Sequence, residues 1–147
     1  MNPTIVELLD QILNGDDIPP PESMLKISTE RANIQPANAP YSIAGNLWHL
    51  VYWQDIWLFK LGGGIKSEGM KVWTEDWQTP QASDWPELRR RALEGLRQAR
   101  SYATGEATHG MPSDAAATSA LLNIAIHAAY HLGQINLLKR SLKLEAE

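Results

Sequence analysis

Two histidines in the C-terminal part of the chain, His127 and His131, have the spacing of a metal-binding pair. Residues four apart on a helix lie on one face, with Cβ atoms about 5–6 Å apart. Helical zinc sites use this spacing to bring two imidazoles to one ion. A third histidine, His49, lies in a separate apolar segment far upstream. Three imidazoles from two helices would leave one coordination position open, which is typical of a metal that takes part in chemistry.

Each histidine also has a simpler interpretation, because buried polar groups in general find hydrogen-bond partners inside the core. Spacing and composition leave both interpretations open. The zinc-protease mechanism is excluded, because Ala128 stands where that motif has its glutamate base. Two further candidates are rejected as ligands: Asp55 lies about 120° from His49 around its helix, and His109 lies in a loop of small residues.

Five other residues are candidates for a pocket around the histidines. Each residue of a helix turns about 100°, so residues within about 60° of each other share a face. Two of the five share the face of His49 and three share the face of His127. They are Tyr52, Trp53, Asn123, Tyr130 and Gln134.

Apolar periodicity and end signals predict the helices that position these residues. Ser42 is the expected N-cap of the helix that carries His49, and a run of three glycines ends that helix. The last helix opens at Asp114 or, as an alternative, at Thr118. The predicted helices span 3–14, 43–61, 85–102 and 114–144, with a short helical piece over 22–33. Four long helical units without strand alternation predict an all-α four-helix bundle.

Composition restricts the partners and the cellular setting. A chain of 147 residues predicts a single domain over 1–147. The absence of cysteine excludes disulfides and thiolate ligands, so nitrogen and oxygen atoms must hold any metal. A net charge of −4 without a basic block argues against nucleic-acid binding. With no signal peptide and polar groups inside the apolar segment 43–61, we expect a cytoplasmic protein that does not contact membranes.

The six tryptophans form two groups of three. Trp48, Trp53 and Trp57 lie on different sides of one predicted helix, which indicates burial by the bundle and by a partner subunit. The other three flank the irregular connection predicted over 65–82. They are expected to hold that connection against the bundle, and one of them is a candidate for the mouth of a pocket.

Two segments and the connection between them form a recognisable pattern. The first reads YSIAGNLWHL at positions 41–50, and the second reads HAAYHLGQI at positions 127–135. In this order, with a tryptophan-bearing connection between them, they resemble the DinB-like (DinB/YfiT) superfamily over nearly the whole chain. The glycine and glutamine after the last histidine are a fairly specific part of that pattern.

The resemblance implies a four-helix bundle of up-down-down-up connectivity that is commonly dimeric. It also implies a divalent metal, zinc or nickel in many members, held by His49, His127 and His131. Members of the superfamily include transferases that use low-molecular-weight thiols, proteins described as metal-dependent hydrolases, and proteins without an assigned activity.

The chemistry implied by this resemblance is S-transfer to a small-molecule substrate, with a metal that lowers the pKa of a bound thiol or water. Gln134 and Asn123 are predicted to orient a ligand and Tyr130 to donate a hydrogen bond, although each fits equally well as a packing residue. Gly133 is expected to permit a close helix approach. The alternatives are a hydrolase of a small amide or ester, and a non-catalytic ligand-binding bundle stabilised by its metal. No catalytic residue is assigned, because the sequence places no carboxylate in the pocket.

Overall fold

The computed structural model describes residues 2–65 and 71–145. Within these ranges the chain forms seven α-helices, one 3₁₀ turn (Ala82–Asp84) and no strand, which confirms the predicted all-α bundle. Four of the helices are long, and the other three are single turns in the connections. In chain order they are α1 (Pro3–Asn14), α2 (Pro21–Met24), α3 (Thr29–Ala32), α4 (Ile43–Leu61), α5 (Val72–Glu75), α6 (Trp85–Thr104) and α7 (Asp114–Glu145).

The helix starts follow the predicted capping signals. Asn2 precedes Pro3 at the first position of α1, and its Oδ1 accepts a hydrogen bond from the backbone N–H of Ile5 at 3.2 Å. Ser42 Oγ accepts from the backbone N–H of Gly45 at 3.0 Å and begins α4. Helix α7 begins at Asp114, the first of the two predicted starts.

The segment predicted as one helical piece over 22–33 is instead two single-turn helices, α2 and α3. Ser28 separates them, because it takes the extended backbone of an N-cap and its Oγ accepts from the N–H of Arg31 at 3.3 Å. The connection predicted to be irregular over 65–82 also contains one helical turn, α5, and part of it, residues 66–70, lies outside the described residues.

Helix α4 lies between two long neighbours, α6 and α7, and α1 packs across the same two helices. Leucine side chains on several sides of α4 are therefore buried, including Leu47, Leu50 and Leu61. A helix buried on several sides does not need a single apolar stripe. Two polar side chains of α4 are also buried: Asn46 is 0% exposed and Gln54 is 1% exposed.

Helices α4 and α6 meet at Gly95, which has no side chain to separate them. A Cβ atom at this position would overlap the amide group of Gln54. That amide donates from Nε2 to the backbone oxygens of Arg91 at 3.2 Å and Ala92 at 3.4 Å. The glycine therefore provides the space in which a polar side chain of α4 joins the backbone of α6.

The start of the chain is tied to its second half. The backbone N–H of Asn2 donates to the oxygen of Ala103 in α6 at 2.9 Å. The side-chain amide of Asn2 donates to Thr118 Oγ1 in α7 at 3.3 Å. Helix α1 is thus fixed by both of the helices that cover its apolar face.

None of the helices in the described ranges combines the length and the apolar character that crossing a bilayer requires.

Candidate metal centre

The packing of α4 against α7 brings His49, His127 and His131 into one cluster. One ring nitrogen from each histidine lies within 4.8 Å of the others. The Nε2 atoms of His49 and His127 are 3.1 Å apart. Nitrogen ligands about 2.0–2.1 Å from a tetrahedral ion lie about 3.3 Å from one another, so the pair His49 and His127 already has nearly the required separation.

The cluster is largely withdrawn from water. His131 is 4% exposed, and the His49 side chain is 11% exposed. Burial is the main cause that lowers the pKa of His127 to about 3, and the two neighbouring imidazoles contribute less. Burial is also the main cause that lowers the pKa of His131 to about 4, and the charge of His49 adds to it. These two rings are therefore neutral at physiological pH, and a neutral imidazole keeps one nitrogen lone pair.

Two of the rings have their remaining nitrogen held by a hydrogen-bond acceptor. His49 Nδ1 donates to Asp76 Oδ1 at 2.6 Å, and His131 Nδ1 donates to Asn46 Oδ1 at 2.8 Å. Because these oxygens only accept, the ring proton must lie on Nδ1. Nε2 then carries the lone pair. Most metal-binding histidines likewise donate a hydrogen bond from the ring nitrogen that does not bind the metal.

This donor set fits a divalent metal ion. In the protein alone, the facing Nε2 atoms of His49 and His127 need one proton between them, supplied by His127. For a divalent ion to bind here, that proton would have to move to Nδ1 of His127, which frees the Nε2 lone pair of this ring beside those of His49 and His131. Three neutral imidazoles without a thiolate suit zinc or nickel and leave room for a further ligand.

A chain of amides extends behind His131. Asn46, which accepts from His131, donates from Nδ2 to Gln134 Oε1 at 3.1 Å. The same Gln134 oxygen accepts from the hydroxyl of Tyr41 at 3.3 Å. Gln134, one of the predicted pocket residues, therefore reaches the cluster through Asn46, a residue that the sequence reasoning did not select.

Asp76 is the carboxylate that sequence reasoning could not place. It follows α5 in the connection between α4 and α6, and its second oxygen, Oδ2, accepts from Trp53 Nε1 at 2.8 Å. The only signal for Asp76 was its position in a tryptophan-rich connection. Trp53, selected because it shares the face of His49, therefore contacts the carboxylate that holds His49.

Trp77 covers one side of the cluster. Its ring stacks on His49 with centroids 3.9 Å apart and an interplanar angle of 15°. One of the three tryptophans beside the connection was a candidate for the mouth of a pocket, without a choice among them, and Trp77 lines a cleft with Tyr41 and Gln78. Trp85 is buried in the core and donates from Nε1 to the oxygen of Ile27 at 2.9 Å. The expectation that all three hold the connection was wrong for Trp73, which is 98% exposed because α5 directs it outward.

Of the remaining pocket candidates, only Tyr130 contacts a histidine of the cluster. Tyr52 contacts Trp53 edge-on with ring centroids 5.8 Å apart and lines a neighbouring cleft with Ile56. Tyr130 contacts His131 edge-on at 5.0 Å but is 63% exposed, and Asn123 is exposed as well. Their roles toward a substrate stay predictions.

The two rejected side chains have other partners. Asp55 forms an ion pair with Arg91 of α6. His109 Nε2 lies 2.9 Å from a carboxylate oxygen of Asp114 at the start of α7. Neither belongs to the histidine cluster.

Comparison with known proteins identifies the family of the chain. The family model of the DinB superfamily matches residues 22–135, a span that begins in α2 and includes all three histidines. No curated protein and no solved structure gives a significant match. Because the matched span is most of the 147 residues, the chain belongs to the DinB superfamily.

Proposed function

We propose that the protein is a divalent-metal-dependent enzyme that transfers a low-molecular-weight thiol to a small electrophile, with His49, His127 and His131 as the metal ligands. The observation that carries this proposal is the convergence of three imidazoles, two of which have their Nδ1 protons held by Asp76 and Asn46. That arrangement directs lone pairs, rather than protons, toward one point.

A divalent ion held by neutral imidazoles lowers the pKa of a thiol or a water beside it, which makes the anion available near neutral pH. The chain itself contains no cysteine, so the reacting sulfur in an S-transfer must come from a cosubstrate. Trp77 over His49 and the near-complete burial of His131 limit the access of water to the ligands. Exclusion of water strengthens the electrostatic interactions of such a site.

Metal analysis of protein purified without an affinity tag tests the site. We expect about one divalent ion per chain, and loss of that ion in His127→Ala and His131→Ala with the helical circular dichroism retained. His109→Ala is the matched control, because it removes a histidine outside the cluster. Wild-type protein without a bound ion, or equal metal content in His131→Ala and wild type, would contradict the proposed site.

Activity assays on the metal-loaded protein test the chemistry. A panel of low-molecular-weight thiols with a generic electrophile should give a conjugate, and His131→Ala should not form it. Hydrolysis of small esters or amides without conjugation would instead support a metal-dependent hydrolase. A protein that binds metal, shows neither reaction, and unfolds when the metal is chelated would support a metal-stabilised binding bundle.

We also propose that the protein is a homodimer that pairs through one face of α7. Three side chains on this face, Ile126, Tyr130 and Leu137, are 64%, 63% and 66% exposed. Gly133 lies among them, and a Cβ atom there would meet nothing within 4 Å. The expectation that Gly133 lets another helix of this chain come close is therefore wrong. In the proposed dimer, Gly133 would instead let α7 of a second copy come close. A twofold contact pairs the same surface on both copies, and these three uncharged side chains can meet their own counterparts without repulsion.

A further inference from the structure

Helix α4 donates three side-chain hydrogen bonds to two consecutive residues, the last residue of α5 and the one that follows it. Trp48 Nε1 donates to the backbone oxygen of Glu75 at 3.0 Å. His49 Nδ1 and Trp53 Nε1 donate to the two oxygens of Asp76, at 2.6 Å and 2.8 Å. One carboxylate therefore connects the histidine on α4 with a tryptophan one turn further along the same helix.

The Asp76 side chain is only 13% exposed, so these donors take the place of most of the water around its oxygens. The backbone N–H of Trp77 supplies a third donor, at 2.8 Å from Oδ1. A carboxylate with little solvent is stable only where several N–H groups replace its water, and such charge-assisted bonds are about twice as strong as neutral ones. Both oxygens of Asp76 are thus engaged by the protein.

Trp77 needs this support. Its φ of +52° lies in the left-handed region, which a bulky side chain occupies only when the surrounding structure fixes it there. Its backbone N–H donates a hydrogen bond to Asp76. Its ring stacks on His49 and also on Tyr41, where the two ring centroids are 4.5 Å apart. These contacts hold the left-handed conformation. Without the carboxylate, the backbone loses one of the contacts that hold this conformation.

We propose that Asp76 is a positioning residue that couples the connection to the histidine cluster: it fixes the Nδ1–H tautomer of His49 and holds Trp77 as a cover on the same ring. Asp76 acts through His49 and Trp77, both of which donate to its Oδ1. The metal-related part of this inference rests on the proposed function, whereas the coupling of the connection does not.

Metal affinity tests the first consequence. Zinc titrations against a chromophoric chelator should give a Kd for Asp76→Ala about 10–100-fold weaker than that of the wild type, the range found when an outer partner of a metal-binding histidine is removed. Asp76→Asn keeps one acceptor oxygen and should give an intermediate Kd. Asp17→Asn removes an exposed carboxylate in the loop after α1 and serves as the control. An unchanged Kd in Asp76→Ala would overturn the positioning role.

Hydrogen exchange of the metal-free protein tests the second consequence, and it remains informative if the wild type binds no zinc. Asp76→Ala should speed exchange in residues 71–81 while the protection of α4 and α7 stays as in the wild type. If Asp76→Ala does not fold, Trp53→Phe removes only one donor to the carboxylate and should show the same local change at smaller amplitude. Unchanged exchange over 71–81, or a uniform loss of protection along the chain, would overturn the inference. Absence of zinc binding by the wild type would instead contradict the proposed function.

Discussion

At the scale of single residues, the chemistry of the cluster depends on which nitrogen carries the proton. His131 is the most buried of the three rings, and its Nδ1 proton is directed to Asn46 rather than into the cluster. Asn46 is itself fully buried, and its side-chain amide donates a hydrogen bond to Gln134. The orientation of one imidazole is thus set by two amides that lie outside the ligand set.

We expect Asn46→Leu to destabilise the protein by about 1–3 kcal/mol, because the buried N–H of His131 loses its acceptor. The free energy of unfolding, measured by urea titration, checks this expectation. Gln134→Leu, which leaves the hydrogen bond between Asn46 and His131 in place, should cost less. Equal stability of Asn46→Leu and wild type would contradict the role of this amide. Zinc affinity should also fall more in Asn46→Leu than in Gln134→Leu.

Sequence reasoning found the residues that obey helix geometry and missed those that do not. His49, His127 and His131 could be brought together because periodicity assigns each to a helix face. Asp76 could not be found in this way, nor could Trp77 be told apart from the other two tryptophans beside the connection. Asp76 and Trp77 lie in a connection without periodicity, and the left-handed backbone of Trp77 follows from tertiary contacts rather than from local preference.

At the scale of helices, the cluster depends on how α4 is held between its neighbours. The bounds of the long helices were predictable, because caps such as Ser42 are local signals. The division into α2 and α3 was not predicted, since Ser28 lies within a stretch of few apolar residues. The contact between Gln54 and Gly95 could not be predicted from the sequence either, because it joins residues of two helices that lie far apart in the chain.

The α4–α6 contact gives a sharp test. A glycine inside an exposed helix is usually improved by alanine, but we expect Gly95→Ala to destabilise this protein by about 1–3 kcal/mol, because the added methyl group overlaps the buried amide of Gln54. Thermal and urea unfolding of Gly95→Ala, Gln54→Ala and the double variant form a double-mutant cycle. The double variant should be more stable than the sum of the single changes predicts. Additive effects would show that the two side chains do not compete for the same space.

At the scale of the whole molecule, the exposed face of α7 links the histidine cluster to the surface proposed to bind a second copy. Tyr130 belongs to this face and also contacts His131. A second copy on α7 would therefore cover residues next to the cluster. The single domain, the cytoplasmic location and the small-molecule substrate stay predictions from the sequence.

We expect Leu137→Asp to convert a dimer into a monomer, because it places a carboxylate from each copy among the apolar side chains of the proposed contact. Sedimentation velocity over a range of protein concentrations measures the change. Phe59→Asp is the matched control, since Phe59 is 59% exposed but lies on α4. A wild-type protein that sediments as a monomer at every concentration would contradict the proposed dimer.

The ties of Asn2 to Ala103 and Thr118 have a consequence for the order in which the chain folds. The apolar face of α1 (Ile5, Leu9 and Ile12) is buried against helices that are synthesised much later. During translation this face must stay uncovered, or bind a chaperone, until α6 and α7 have left the ribosome. Contacts between such distant parts of a chain also slow folding, because a large loop must close before they form. We therefore expect α1 to dock only after α6 and α7 have emerged from the ribosome.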